Sequence, residues 1–261
     1  MPDLDRRQEF EDQLARGLAR IWQTARSRLV TAVYREGYTL GQLANIPPDV
    51  LVEMQTELER LFRDRLDDVF VNAAQAYAGQ LAYGIDEAEL QQAAVTWANE
   101  YAPLLAQQMT TTTRAYLTDI ARRAPDVPVN QRNLLFLLIG ASVSIAGIAY
   151  QFRSPFNTGR AVSTAITEVT NAISAGERAV NDKLQTDGVR VDTLWYTQRD
   201  ERVCPVCAPR HGTTQGTDWN TPPPAHPNCR CYLGYRLTNG TQVTILFDDN
   251  EIATELARVR R

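Results

Sequence analysis

Residues 204–231 read CPVCAPRHGTTQGTDWNTPPPAHPNCRC, and they hold all four cysteines and both histidines of a 261-residue chain. Cys204 and Cys207 form a Cys-x2-Cys knuckle, which lets two thiolates reach one ion from a single tight turn. His226, Cys229 and Cys231 follow as a second group, and a distant second group of this kind closes a tetrahedron and staples two loops that have little core of their own. Cys229 and Cys231 are two residues apart, so in extended backbone both side chains point to one side. Pro227 and the run Pro222-Pro223-Pro224 restrict how His226 is presented. Six candidates therefore compete for four positions of a structural zinc site. Cys204 and Cys207 lead, two more come from His226, Cys229 and Cys231, and His211, a lone loop histidine, trails.

Around the cluster the pattern is that of short strands. Val189, Val191, Leu194 and Trp195 precede it, and Tyr232–Leu237 and Thr241–Phe247 follow, with Asn239-Gly240 as a hairpin turn between the last two. Residues 251–261 read as a closing helix or tail. Trp195, Tyr196 and Trp219 are expected to cover the zinc loops rather than to stack on bases.

Upstream the period changes to that of helices. Leu51, Met54, Leu58, Leu61, Phe62, Leu66 and Val69 recur at three- and four-residue steps, with Glu53, Glu57, Arg60, Arg63 and Asp67 on the opposite side. Pro47-Pro48-Asp49 opens that helix. An earlier helix is expected over about 4–34. Asp86 with Glu89 forms a capping box for a third helix, in which Pro103 is expected to introduce a kink. A fourth runs from about 158 to 184 with Val162, Ile166, Val169, Ile173 and Val180 on one side. Residues 134–152 contain no charged residue between Arg132 and Arg153. They qualify by length as a membrane span, but Gly140, Ser142, Ser144 and Gly147 favour a buried helix or helical hairpin. The fold class expected is mainly α with a small C-terminal α+β zinc-binding module of short antiparallel strands. The expected divisions are a helical part over 1–125, a helical segment over 126–188, the Cys/His module over 189–248 and a tail over 249–261.

Composition narrows the chemistry. A net charge of −4 argues against a dedicated nucleic-acid binder, whose phosphate contacts need a basic surface. The charged start of the chain carries no secretory signal, which points to a reducing cytoplasm, where clustered cysteines serve metals more often than disulfides. A redox pair would sit after a strand at the start of a helix in an α/β domain. Catalytic zinc needs an open position and a base; Glu201 and Asp218 are near, but no His-Glu-x-x-His or His-x-Glu pattern is present.

The segment Trp195-Tyr-Thr-Gln-Arg-Asp200-Glu-Arg-Val-Cys204-Pro-Val-Cys207, together with Pro-Pro-Pro-Ala-His226-Pro-Asn-Cys229-Arg-Cys231, resembles the C-terminal module of phage Mu F-like minor head proteins, also called phage head morphogenesis proteins. The stretch Gly159–Thr170 is similar to the helix that precedes that module in the family, so the likeness covers about 158–233. The resemblance implies a non-enzymatic, low-copy structural protein of a tailed-phage virion, assembled in the host cytoplasm. It further implies association with portal protein and capsid or scaffold subunits, and a role in head assembly or in DNA packaging and delivery. Contact with packaged DNA is a further expectation. The rival readings are a zinc-dependent nuclease and a membrane-active ejection protein using 134–152.

Overall fold

The computed structural model describes residues 4–36, 48–81, 83–123, 156–198, 200–238 and 243–245. Among the described residues, four long helices, α1 (Leu4–Glu36), α2 (Pro48–Gln80), α3 (Glu87–Arg123) and α4 (Thr158–Thr186), precede an antiparallel sheet of β1 (Val191–Tyr196), β2 (Tyr232–Thr238) and β3 (Val243–Ile245). The chain is mainly helical with a small sheet after the helices, as its two periodicities predict. The apolar segment 134–152, the Asn239-Gly240 turn and the tail lie outside the described residues. Among those described, no helix is long and apolar enough to cross a membrane.

By internal contacts the chain forms two units, one of Met1–Glu11, Arg65–Ala98 and Ser163–Arg261 and the other of Asp12–Asp64 and Asn99–Val162. In the second unit, α1 buries Leu14, Leu18, Trp22, Ala25 and Leu29, and α2 buries Leu51, Met54, Leu58 and Phe62, each on one helical stripe. Leu61 is only half-buried at the edge of its stripe. Arg160 lies over the Trp22 ring, 5.1 Å from its centroid, and donates to Thr113.

Helix boundaries follow from local chemistry. Asp86 Oδ1 accepts the Glu89 N–H at 2.8 Å, closing the predicted cap of α3. Asn157 Oδ1 does the same for Arg160 N–H at the start of α4 (2.6 Å). Pro103 sits within α3 without ending it, on a helix whose residue four positions earlier, Asn99, is exposed.

The buried face of α4 holds Val169, Ile173 and Val180 of the expected stripe and adds Ala161, Ala165, Ala172, Ala175 and Leu184, while Val162 is 45% exposed and Ile166 half-buried. Small side chains let this helix approach a neighbour more closely than β-branched ones would. At Gly176 the approach is limiting, because a Cβ there would run into the Phe70 carbonyl of α2.

The sheet pairs β1 with β2 in the register Val191↔Leu237 to Tyr196↔Tyr232, and β2 with β3 at Arg236↔Ile245. Its inner face joins the first unit's core, where Trp195, Leu233 and Tyr235 share one cluster with Phe70, Tyr77, Val180, Cys207, Cys229 and Cys231. The loop after the knuckle returns along β1: Trp195 N–H donates to Thr213 O (3.0 Å), Gly212 N–H to Trp195 O (2.7 Å) and Gln215 N–H to Thr193 O (2.9 Å). Gly212 takes a φ of 75°, which a residue without Cβ adopts at no steric cost.

Candidate metal centre

The knuckle is a turn built by its first cysteine. Cys207 N–H donates to Cys204 O (3.1 Å) and also approaches Cys204 Sγ (3.3 Å), while Ala208 N–H donates to Cys204 O (2.9 Å). A short 3-10 turn, Ala208–Arg210, then carries the chain away. The second group sits on a turn whose pivot is Asn228, at φ 63°, a left-handed conformation that asparagine tolerates better than most residues.

These two turns bring five donors together. His226 Nε2 lies 2.9 Å from Cys204 Sγ and 3.2 Å from Cys207 Sγ, and Cys207 Sγ lies 3.9 Å from Cys229 Sγ. Cys204, Cys207 and His226 form one mutually close triad and Cys207, Cys229 and Cys231 another, so Cys207 is common to both. All four cysteines are free, and the five residues are near enough to bind a metal. His211 belongs to neither triad. Its Nδ1 lies 3.1 Å from Thr197 N and 2.9 Å from Thr197 Oγ1, and its ring meets Tyr196 edge-on.

Two observations bear on whether these residues suit a thiophilic cation. His226 Nδ1 is 2.8 Å from the Pro227 carbonyl, which can only accept. The ring proton therefore sits on Nδ1, and in the neutral ring the Nε2 lone pair faces Cys204 and Cys207, the arrangement that metal-binding histidines share. The buried indole N–H of Trp195 makes no hydrogen bond among the described residues, and it stands near enough to the Cys231 thiol to favour its thiolate against the larger upward push of Cys229 and burial. Protonation is uneven across the cluster. Donation from Cys231 holds the Cys229 thiol below the ordinary thiol range, while burial and the Cys229 charge push Cys207 above it. Close thiols in a low-dielectric site ionise together only against a compensating cation.

Residues outside the cluster hold its loops, and hydropathy gave no sign of them. Thr170 Oγ1 donates to Cys229 O (2.6 Å), and Thr167 Oγ1 accepts the Asn228 N–H (3.0 Å), so α4 supports the second turn from beneath. Arg230 donates to Asp200 Oδ2 (2.6 Å), tying the segment before the knuckle to the segment between Cys229 and Cys231. Residues 144–234 match the family described as Phage Mu protein F like protein. No curated protein and no solved structure matches the chain. The Mu F-like segment takes in every residue of the cluster, the two threonines of α4, and the Asp200–Arg230 pair. Asp218, one of the two nearby carboxylates, accepts the Thr214 N–H of its own turn (3.2 Å).

The Mu F-like segment also buries a carboxyl. Glu177 is 2% exposed and accepts the Leu233 N–H at 3.1 Å. Burial pushes its pKa from an ordinary 4.5 up to about 8, against the opposing pull of the Leu233 N–H and Arg7. The folded protein thus keeps a proton on Glu177 that the unfolded chain releases near pH 4.5. Its contribution to stability is full below that pH and is lost as pH rises towards 8. Glu177→Gln is expected to remove this dependence. Its stability relative to the unaltered protein should increase between pH 5 and 8, by an amount on the order of 3–5 kcal/mol in total at about 1.4 kcal/mol per pH unit. Urea unfolding of both proteins in the same metal state measures the difference, and parallel pH profiles would refute the assignment.

Proposed function

We propose that this chain is a structural head protein of a tailed phage, non-enzymatic, acting in head assembly or in DNA packaging and delivery. The observation that carries the reading is the Phage Mu protein F like match over the segment holding the Cys/His cluster and its supporting helix. Its expected neighbours are the portal protein and capsid or scaffold subunits, with packaged DNA a further contact and a membrane contact through 134–152 the less favoured one.

In this reading the cluster holds one structural zinc. Cys204, Cys207 and His226 Nε2 supply three ligands, supported by the Nδ1–Pro227 contact. The fourth comes from Cys229 or Cys231, the other remaining beside the site. Zinc there locks the knuckle to the second turn, and through Thr167 and Thr170 to α4. That gives a small module, with little core of its own, a rigid shape to present to other head proteins.

The test is made on particles. Mass spectrometry of purified heads and procapsids should detect the chain in low copy beside the portal, and deleting its gene should abolish infectious heads. Its absence from both particle types would overturn the assignment. Zinc-dependent DNA cleavage lost in His226→Ala, with the fold intact, would replace it with the nuclease reading.

A further inference from the structure

Arg7, on the first helix, lies far outside the Mu F-like segment, yet it reaches into the second ligand-bearing turn. Its side chain is buried, 8% exposed. Three of its donors are engaged: Nε on Glu11 Oε1 (2.8 Å), Nη1 on Arg230 O (3.2 Å) and Nη2 on Thr170 Oγ1 (2.6 Å). Thr170 Oγ1 in turn donates to Cys229 O (2.6 Å). One guanidinium thus fixes two successive carbonyls, that of Arg230 directly and that of Cys229 through a hydroxyl. Gln198 Nε2 adds a second donor to Arg230 O (3.1 Å).

Each carbonyl orients a planar peptide unit. The planes on either side of Arg230 are the ones that set where the Cys229 and Cys231 sulfurs stand relative to each other. With both planes held, the second turn keeps its shape before any metal arrives. Without them, binding must order the turn at the moment of ligation, at a cost in affinity.

We infer that Arg7 is a positioning residue for the metal centre, preorganising the Cys229–Cys231 turn through its backbone from a helix outside the module. The inference rests on the zinc reading above. The planar fork matters as well as the charge, because a lysine ammonium does not reproduce the fixed donor geometry of a guanidinium.

The experiment uses the full chain, with zinc affinity measured by competition against a chromogenic chelator and cobalt substitution read by visible absorption. Arg7→Ala and Thr170→Val are each expected to weaken zinc by about 10- to 100-fold, the usual effect of removing an outer-sphere partner. Both should alter the cobalt ligand-field bands, which a purely structural loss elsewhere in the fold would leave in place. Arg7→Lys should fall with Arg7→Ala. The double variant should be no weaker than Arg7→Ala alone, since both changes cut one relay. Thr170→Val conserves shape and keeps the inference testable should Arg7→Ala fold poorly. One zinc per chain in the unaltered protein, with affinity and cobalt bands unchanged in both single variants, would overturn this inference alone. Absence of zinc from the unaltered protein would overturn the metal-site reading together with it.

Discussion

Replacing Cys207 with serine is expected to empty the metal centre, reducing zinc from one per chain to a trace and releasing the loops between residues 204 and 231. Cys207 is the thiol shared by both triads and is 2% exposed, so no choice of fourth ligand spares it. Structural zinc in small modules contributes about 10–16 kcal/mol of apparent binding energy that is also folding energy. Losing a central ligand removes most of that. Elemental analysis gives the stoichiometry, and the thermal melt of the variant should coincide with that of the unaltered protein stripped by a chelator. Cys229→Ser and Cys231→Ser separate the two remaining candidates: the one that keeps full zinc content marks the spare thiol. His211→Ala should keep its zinc, since that ring is engaged with Thr197 and Tyr196. Stoichiometric zinc in Cys207→Ser would sink the site as drawn.

Trp195→Ala should be the most damaging substitution that leaves every candidate ligand in place, with a loss of about 3–5 kcal/mol, the usual range for a fully buried aromatic cut to alanine. Trp195 is 0% exposed and meets Trp219 edge-on with ring centroids 5.3 Å apart. Arg210 lies over its ring, and β1 pairs it with Leu233. Trp195→Phe restores most of the volume but not the buried indole N–H beside Cys231, so it should recover much of the stability while zinc leaves faster to a chelator. Urea midpoints of the zinc-loaded proteins, read with chelator-driven release, separate the two contributions. Equal release rates for Trp195→Phe and the unaltered protein would remove the indole from the metal's surroundings.

The helices were legible because period and capping are local: the α2 stripe is buried at Leu51, Met54, Leu58, Phe62, Leu66 and Val69, and Asp86 caps α3 as its spacing predicts. On α4 the stripe is buried at Val169, Ile173 and Val180 but not at Val162, and the alanines that share the buried face, with the close approach of Gly176 to the Phe70 carbonyl, depend on a neighbouring helix that hydropathy does not see. The return of residues 212–215 along β1 left no period to detect, because its backbone hydrogen bonds do not depend on side-chain type.

For the candidate metal centre, the sequence by itself determined which sulfur and imidazole side chains are available. Six sulfur and imidazole side chains fall within 28 residues, and their resemblance to phage Mu F-like proteins agrees with the family match over 144–234. Tertiary structure alone decided how those donors are arranged. It set the His226 ring proton towards Pro227, engaged His211 elsewhere, seated the Cys229 carbonyl on Thr170, and brought Arg7 to Arg230 across a separation of 223 residues. Spacing along the chain constrains which side chains one turn can present together. It carries no information about a guanidinium from a distant helix, whose arrival depends on how whole helices pack.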